Sequence, residues 1–216
     1  MTDQSLTYAV DEGEPDGPLL VLLHGRGADE RDLVSLGRML HPTATTIAPR
    51  APFPGAPWGY GGGYAWYRYL QDTTPETVSF REGQARLADF LAWIPGHLGR
   101  ADAPLVVGGF SQGGTSTLAW TLGHPGAARA ALIFSGFMPD HPDVTITPAT
   151  VGRTPFWWSH GTLDSAIPYA FAEAGWQTLR DAGADLTTFT DAGTGHTITR
   201  EALAGAAALL RDSLAS

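Results

Sequence analysis

The sequence contains a serine with a glycine two residues before it and another two residues after it, in the pentapeptide Gly109-Phe110-Ser111-Gln112-Gly113. An apolar run precedes it and a helix-forming stretch follows it, which predicts a sharp turn from a strand into a helix. Such a turn exposes the serine hydroxyl above a sheet. It requires glycine on both sides, because a β-carbon would clash with the nearby backbone. Ser111 could therefore attack a carbonyl carbon. In the alternative interpretation, the serine only caps the following helix.

A serine nucleophile needs a base that takes its proton. His196 lies in the loop after the last predicted strand, at the carboxyl edge of the sheet, where ligands bind in such folds. We therefore predict that His196 is the base. His160 also lies late in the chain, whereas His124 and His141 lie next to prolines and are predicted to be surface or capping residues.

Two aspartates compete for the role of the acid that orients the base. Asp164 follows one predicted strand and precedes a helix that starts with proline, which places it at the same edge of the sheet. Asp191 also ends a strand and lies closer to His196 along the chain, but an aspartate at a strand exit is often only a turn former. We predict that Asp164 is the acid, with Asp191 as the alternative.

An acyl-transfer site also needs backbone N–H groups that stabilise the oxyanion. Gln112 supplies one by its position directly after the serine, and the glycine-rich loop 24–27 after an early apolar strand supplies the other. We assign this second donor to the N–H of Arg26, and we expect His24 to be a hydrogen-bonded supporting residue. The Arg26 side chain could alternatively bind an anionic substrate, or it could pair with a nearby carboxylate.

Short apolar runs alternate with amphipathic segments along the chain. This pattern predicts an α/β fold with a mainly parallel central sheet and helices on both faces. The predicted strands are residues 6–10, 18–24, 45–48, 104–108, 130–134, 155–159 and 186–190.

Helices are predicted between most of these strands. Leucines between positions 33 and 40 share one face of an early helix. Ser79 and Glu82 form a capping-box pattern that predicts the start of the next helix, and Pro95 predicts a kink or an end within it.

From Arg50 to Asp72 the chain is rich in glycine, proline and large aromatic residues. A loop of this length is usually either functional or disordered, and so many rings could hardly stay solvated together. We predict an ordered flap beside the site, or alternatively a loop that only covers a sheet edge.

The overall composition excludes several classes of protein. The chain has 216 residues, which predicts one domain over residues 1–216. Its net charge of −9, without a dense basic cluster, argues against binding to nucleic acid. It contains no cysteine, so disulfides and thiolate sites are excluded. Neither a signal peptide at residues 1–5 nor a membrane-spanning run is recognisable, and we expect a soluble, cytoplasmic protein.

Four motifs follow one another in the chain, namely His-Gly-x-Gly at 24–27, Gly-Phe-Ser-Gln-Gly-Gly at 109–114, His-Gly-x-x-Asp at 160–164 and Gly-x-Gly-His at 193–196. With these motifs the chain resembles the phospholipase/carboxylesterase family, which includes small bacterial carboxylesterases and acyl-protein thioesterases. The resemblance extends over residues 19–198. It implies an α/β-hydrolase fold without a large cap domain, with Ser111, Asp164 and His196 as the triad. It also implies hydrolysis of ester or thioester bonds without a cofactor.

The resemblance further implies where the substrate binds. Trp66 and Tyr67 look like the aromatic pair beside the acyl channel of the family. Phe137 and Met138 fall where the family has a wall of the acyl pocket. We therefore expect these four side chains to contact the substrate.

Two features depart from the family pattern. The pair Trp157-Trp158 is bulkier than the usual aliphatic pair, and the stretch 60–64 is unusually rich in glycine. Both argue against long-chain substrates, and we expect a serine carboxylesterase that acts on short to medium acyl chains.

Other functions and assemblies stay open. The alternatives are an acyl-thioesterase or lysophospholipase, a cofactor-free perhydrolase, and a non-catalytic binding module. The histidine spacing suggests no metal site, and we expect a monomer or a homodimer.

Overall fold

A computed structural model describes residues 6–71 and 73–215 of the chain. Residues 1–5, for which we predict no signal peptide, lie outside the described part. Asp72, at the end of the predicted flap, and Ser216 also lie outside it.

The described residues form a central sheet and two small strand pairs. The strands are β1 (Tyr8–Asp11), β2 (Leu19–Leu23), β3 (Thr45–Pro49), β4 (Phe53–Pro54), β5 (Tyr64–Ala65), β6 (Tyr69–Gln71), β7 (Thr74–Pro75), β8 (Leu105–Phe110), β9 (Ala130–Phe134), β10 (Phe156–Gly161) and β11 (Leu186–Asp191). The order across the central sheet is β1-β3-β2-β8-β9-β10-β11. Only β1 is antiparallel to its neighbour. All the predicted strands are confirmed, and their bounds shift by at most 2 residues.

Helices cover both faces of the sheet. They are α1 (Gly37–Leu40), α2 (Thr77–His97), α3 (Gln112–Gly123), α4 (Pro148–Val151), α5 (Tyr169–Asp181) and α6 (Arg200–Ala215). Because side chains alternate along a strand, Leu19, Val21 and Leu23 of β2 pack against α2 and α3, whereas Leu20 and Leu22 pack on the side of α1 and α6. The α/β arrangement predicted from the sequence is therefore present.

Three details of the helices differ from the prediction. The carboxylate of Glu76 accepts hydrogen bonds from two N–H groups in the first turn of α2 and caps it, so the predicted capping box of Ser79 and Glu82 is wrong. Pro95 lies inside α2, which continues for 2 more residues. Proline cannot donate the hydrogen bond to the carbonyl oxygen four residues earlier, and the helix ends within one turn of it. The leucines at 33–40 form only a 3₁₀ turn (Val34–Leu36) that leads into the short α1.

The two tryptophans of β10 point to opposite faces of the sheet. Trp157 packs against α6, where Gly205 leaves room for its ring, and Trp158 packs against α5 at Gly175. Both indoles are buried, with exposed fractions of 4% and 0%. The bulk that departs from the family pattern is therefore accommodated by glycines in the covering helices.

The segment predicted as a flap packs through its aromatic rings. It contains the antiparallel pair β4–β5 and part of the pair β6–β7. Ring centroids 5.1 to 6.4 Å apart connect, in order, Phe53, Trp58, Tyr60, Tyr69 and Phe137. This series of contacts ties the segment to the loop that follows β9.

We expect Gly175→Ala to destabilise the protein, although alanine favours a helix. The new β-carbon would lie 2.5 Å from the buried Trp158 ring. Overpacking costs about 1–3 kcal/mol, which outweighs a gain of about 1 kcal/mol in helix propensity. In the matched control Gly96→Ala, the β-carbon meets no described atom within 4 Å outside α2, and we expect a small gain in stability. Urea denaturation measures both effects, and wild-type stability of Gly175→Ala would contradict this packing.

Candidate active site

Ser111 lies in a tight turn between β8 and α3. Its backbone is left-handed, with φ of 55° and ψ of −118°, and its N–H donates to the carbonyl oxygen of Phe134 at 2.8 Å. A β-carbon at Gly109 would lie 2.5 Å from the carbonyl carbon of Gly113, and one at Gly113 would overlap the carbonyl oxygen of Leu23. Both glycines are therefore required. The Ser111 side chain makes no capping hydrogen bond to α3, which removes the alternative that it is only a helix cap.

Ser111, His196 and Asp164 are joined by a continuous series of hydrogen bonds. Nε2 of His196 lies 2.9 Å from Oγ of Ser111, and Nδ1 lies 2.6 Å from Oδ2 of Asp164. Since an ionised carboxylate only accepts, Nδ1 carries the proton and Nε2 can accept the proton of the hydroxyl. The ring also packs on Phe110, with centroids 4.7 Å apart. This arrangement is the one that general-base activation of a serine requires.

The carboxylate of Asp164 is fully buried and is compensated by hydrogen bonds. Its Oδ1 accepts from the N–H groups of Ala166 at 2.9 Å and Ile167 at 2.8 Å. Its Oδ2, besides facing His196, lies 3.3 Å from Nε2 of the buried His160. Burial lowers the pKa of His160, so this ring is neutral and brings no second charge to the site. The carboxylate is thus held in one orientation.

Asp191, the alternative acid, makes other contacts. Its Oδ1 accepts from the hydroxyl of Thr194 at 2.7 Å, and its Oδ2 accepts from the hydroxyl of Thr199. These threonines flank His196 in the loop between β11 and α6. Among the hydrogen bonds of the described residues, none joins Asp191 to His196. Asp191 therefore supports the loop that carries the ring.

The two N–H groups predicted to bind an oxyanion have no other acceptor. Among the described residues, neither the N–H of Arg26 nor that of Gln112 donates a hydrogen bond. The loop that carries Arg26 is held by His24. Nε2 of His24 accepts from the N–H of Ala51 at 3.0 Å, so Nδ1 carries the proton and donates to the carbonyl oxygen of Gly25 at 2.7 Å. His24 thus makes the supporting hydrogen bonds expected of it.

The positions of Trp66 and Tyr67 require a correction. The Gln112 side chain accepts from the N–H of Trp66 at 2.8 Å and donates to the carbonyl oxygen of Tyr67 at 2.7 Å. The indole N–H of Trp66 donates to the carbonyl oxygen of His24 at 2.9 Å. Both rings are 1% exposed and pack into the core beside α2. They brace Gln112 from behind, and neither lines the cavity above Ser111.

A cavity of about 430 Å³ lies above Ser111 and His196. Phe137 lines it, as the resemblance implies. Met138 does not line it, because its side chain packs in the core on the side of α5, where Gly175 lies. Neither ring of Trp157-Trp158 reaches the cavity, so the bulk of this pair gives no argument about the length of the acyl chain.

Three aromatic residues line the cavity that the sequence did not single out as site residues, and one of them, Phe110, directly precedes Ser111. Tyr69 comes from the flap and Phe171 from the first turn of α5. The sequence indicates an aromatic-rich flap that contains Tyr69, but it does not distinguish this ring from the other aromatic residues of the flap. Nothing in the sequence distinguishes Phe171 from a core residue of an amphipathic helix.

The other candidate histidines lie away from Ser111. His124 follows the last residue of α3 and stacks on Trp120, with centroids 4.9 Å apart. His141, predicted to be a surface or capping residue, is only 6% exposed and packs on Phe80 at 4.5 Å. The predicted surface position is therefore wrong, whereas Nδ1 of the ring does accept from a backbone N–H, that of Asp143 at 3.2 Å.

Comparison with known proteins assigns the family. The sequence profile of the phospholipase/carboxylesterase family matches residues 7–214. The chain belongs to this family. As a member of the phospholipase/carboxylesterase family it is an esterase-type hydrolase, and the resemblance drawn from its four motifs is confirmed. No curated protein sequence matches the chain significantly.

Solved structures confirm the α/β-hydrolase fold. Esterase PE8 is 28% identical with a TM-score of 0.80, and the alignment covers 96% of this chain and 99% of that one. A carboxylesterase from Mesorhizobium loti is 28% identical with a TM-score of 0.80, covering 100% and 97%. Acyl-protein thioesterase 2 from Zea mays is 21% identical with a TM-score of 0.79, covering 96% and 99%, and it shows the fold alone.

Residues 6–71 and 73–215 contain neither a membrane-spanning helix nor a cluster of metal ligands. In this part of the chain, no helix has both the length and the apolar character needed to cross a membrane. The same residues contain no group of three histidine or acidic side chains placed to hold a metal ion.

We expect His24 and His160 to take up a proton only at a lower pH than an ordinary histidine does. Burial lowers the pKa of both rings below 6.5, the ordinary value that applies to the unfolded chain. Below that pH the unfolded chain binds protons that the folded protein does not, so the free energy of unfolding decreases by up to about 1.4 kcal/mol per pH unit for each ring. Nitrogen NMR of the imidazoles measures this directly. A His24 ring that titrates near 6.5 would contradict the assigned tautomer.

Proposed function

We propose that this protein is a serine carboxylesterase in which Ser111 is the nucleophile. The observation that supports this best is the series of hydrogen bonds from Ser111 through His196 to Asp164, with distances of 2.9 and 2.6 Å. The series lies at the cavity, where a small ester can reach the hydroxyl. Membership of an esterase-type family agrees with the proposal.

In the first half of the reaction, Oγ of Ser111 bonds to the ester carbonyl carbon while Nε2 of His196 takes the hydroxyl proton. Asp164 stabilises the imidazolium that forms. When the tetrahedral intermediate collapses, the bond to the alkoxy oxygen breaks and the proton on Nε2 passes to the departing alcohol. The acyl group is then covalently attached to Ser111.

Water completes the cycle by the same route. Nε2 of His196 takes a proton from water as its oxygen bonds to the acyl carbon, and the proton then returns to Oγ of Ser111 as the carboxylic acid leaves. In both halves the N–H groups of Arg26 and Gln112 bind the oxyanion, and each such donor lowers the barrier by about 3 kcal/mol. No step needs a cofactor or a metal ion.

The cavity suits a small-molecule ester, since rings of Tyr69, Phe137 and Phe171 surround the nucleophile. An acyl-thioester would react at the same groups, and thioester hydrolysis is the second candidate because the fold matches an acyl-protein thioesterase. Nothing in the site favours the perhydrolase or the binding module. The cytoplasmic location, the single domain over residues 1–216 and the choice between monomer and homodimer stay predictions.

Ser111→Ala is expected to lower kcat for p-nitrophenyl acetate by about four to six powers of ten, because it removes the group that forms the acyl-enzyme. The variant should also lose labelling by a fluorophosphonate probe. Ser116→Ala is the matched control, since Ser116 is buried in α3 and its hydroxyl has no hydrogen-bond partner among the described residues. Turnover by Ser111→Ala within tenfold of the wild type would refute the proposal.

Asp164→Asn and Asp191→Asn distinguish the two candidate acids. An amide at position 164 favours the wrong tautomer of His196, and we expect kcat to fall about 10⁴-fold. An amide at position 191 acts only on the support of the loop, so the loss of kcat should be much smaller, with a lower melting temperature. Steady-state kinetics and thermal denaturation measure both. A greater loss of kcat from Asp191→Asn would reverse the assignment.

A further inference from the structure

The Arg26 side chain lines the cavity beside Ser111 and has no carboxylate partner. Among the described residues, its guanidinium makes neither a hydrogen bond nor a salt bridge. Five of the 13 arginines in the sequence lie within 4.0 Å of a carboxylate oxygen, namely Arg31, Arg38, Arg50, Arg81 and Arg86, and none of these five lines the cavity. An unpaired cation in a cavity of an acidic protein therefore needs an explanation.

The carboxylates closest to Arg26 in sequence are already engaged. Glu30 forms two hydrogen bonds with Arg50, at 2.6 and 2.7 Å, and these hold the pKa of Glu30 at about 2. Asp29 accepts from the N–H of Arg31 at 2.9 Å. No aspartate or glutamate is among the described residues that line the cavity. The alternative that Arg26 pairs with a nearby carboxylate is therefore not realised.

Two tyrosine rings hold the guanidinium in place. Its Cζ atom lies 4.7 Å from the ring centroid of Tyr60 and 5.4 Å from that of Tyr69. The rings are themselves fixed, because the hydroxyl of Tyr60 accepts from the N–H of Tyr69 at 2.8 Å and the ring of Tyr69 packs on Phe137. A cation–π contact orients a guanidinium without using its N–H donors in hydrogen bonds. The donors stay available to a ligand.

We infer that Arg26 makes the enzyme selective for esters that carry a carboxylate, such as half-esters of short dicarboxylic acids. A planar guanidinium binds a carboxylate through two parallel hydrogen bonds, which a neutral ester cannot match. The net charge of −9 disfavours the approach of anions in general, so an anionic ester needs a local cation such as the guanidinium in this cavity. The inference rests on the proposed esterase function and adds a substrate class to it.

The test compares each anionic ester with its neutral amide counterpart. Monoethyl glutarate and ethyl 4-carbamoylbutanoate place the charge on the acyl part, whereas 4-acetoxybenzoate and 4-acetoxybenzamide place it on the alcohol part. The readout is the ratio of kcat/KM for the anionic ester to kcat/KM for the amide. A substitution that changes kcat/KM for both esters by the same factor leaves this ratio unchanged.

In Arg26→Gln we expect the ratio to fall about tenfold in at least one pair, mainly through KM, because a charge-assisted hydrogen bond is lost. Arg26→Lys keeps the charge without the planar fork and should give an intermediate ratio. Arg31→Gln is the control, since the side chain of Arg31 is 81% exposed and does not line the cavity. Its ratio should equal that of the wild type. The pair that responds identifies the part of the ester that faces Arg26.

The inference is wrong if Arg26→Gln leaves both ratios within twofold of the wild type. If Ser111→Ala abolishes hydrolysis in the same experiments, the proposed esterase function is retained and only the role of Arg26 is rejected. Binding provides a readout that does not depend on turnover. Ser111→Ala protein should bind monoethyl glutarate more tightly than ethyl 4-carbamoylbutanoate by calorimetry, and adding Arg26→Gln should remove that difference. Equal binding of both esters by the single variant would also overturn an anion site on the acyl side.

Discussion

The close backbone contact beneath Ser111 is the constraint on which the whole site depends. A β-carbon at Gly113 would overlap the carbonyl oxygen of Leu23, and one at Gly109 would press on Gly113. Only glycine lets α3 start directly against β2 and β8, and this start forces Ser111 into a left-handed backbone at φ 55°. Such a conformation costs about 1–3 kcal/mol and persists because the surrounding packing determines it. One turn thus presents both the hydroxyl and the unpaired N–H of Gln112.

The residues behind this turn are polar but neutral, which limits the charge around the reacting atoms. Gln112 is fully buried, and its amide is satisfied by the backbone of Trp66 and Tyr67. His24 and His160 are buried rings whose pKa values are lowered by burial. A low-dielectric surrounding strengthens each hydrogen bond and makes every unpaired group costly. The buried carboxylate of Asp164, next to His196, is accordingly paired on both oxygens.

The sequence predicted the parts of the site that follow from strand ends and short motifs. Ser111, Asp164 and His196 each lie just beyond a strand of a parallel sheet, so topology alone brings them to one edge. Contacts between distant segments were not predictable in the same way. Trp66 and Tyr67 turn inward because Gln112 takes their backbone groups, and Trp158 fits because position 175 is glycine. The spacing of residues along one segment does not show which distant residue will contact it. The Glu76 cap was missed because Ser79 and Glu82 match the capping-box pattern three residues later.

Arg26 and Gln112 have the same proposed backbone role but different side-chain roles. This difference explains which of the two positions can change substrate specificity. Each would offer a backbone N–H to the oxyanion, which any residue except proline can supply. The Gln112 side chain then points inward and is committed to holding the flap segment, so its identity is tied to the fold. The Arg26 side chain points into the cavity and supports no backbone group among the described residues. Its chemistry is therefore free to match a substrate while the reaction stays the same.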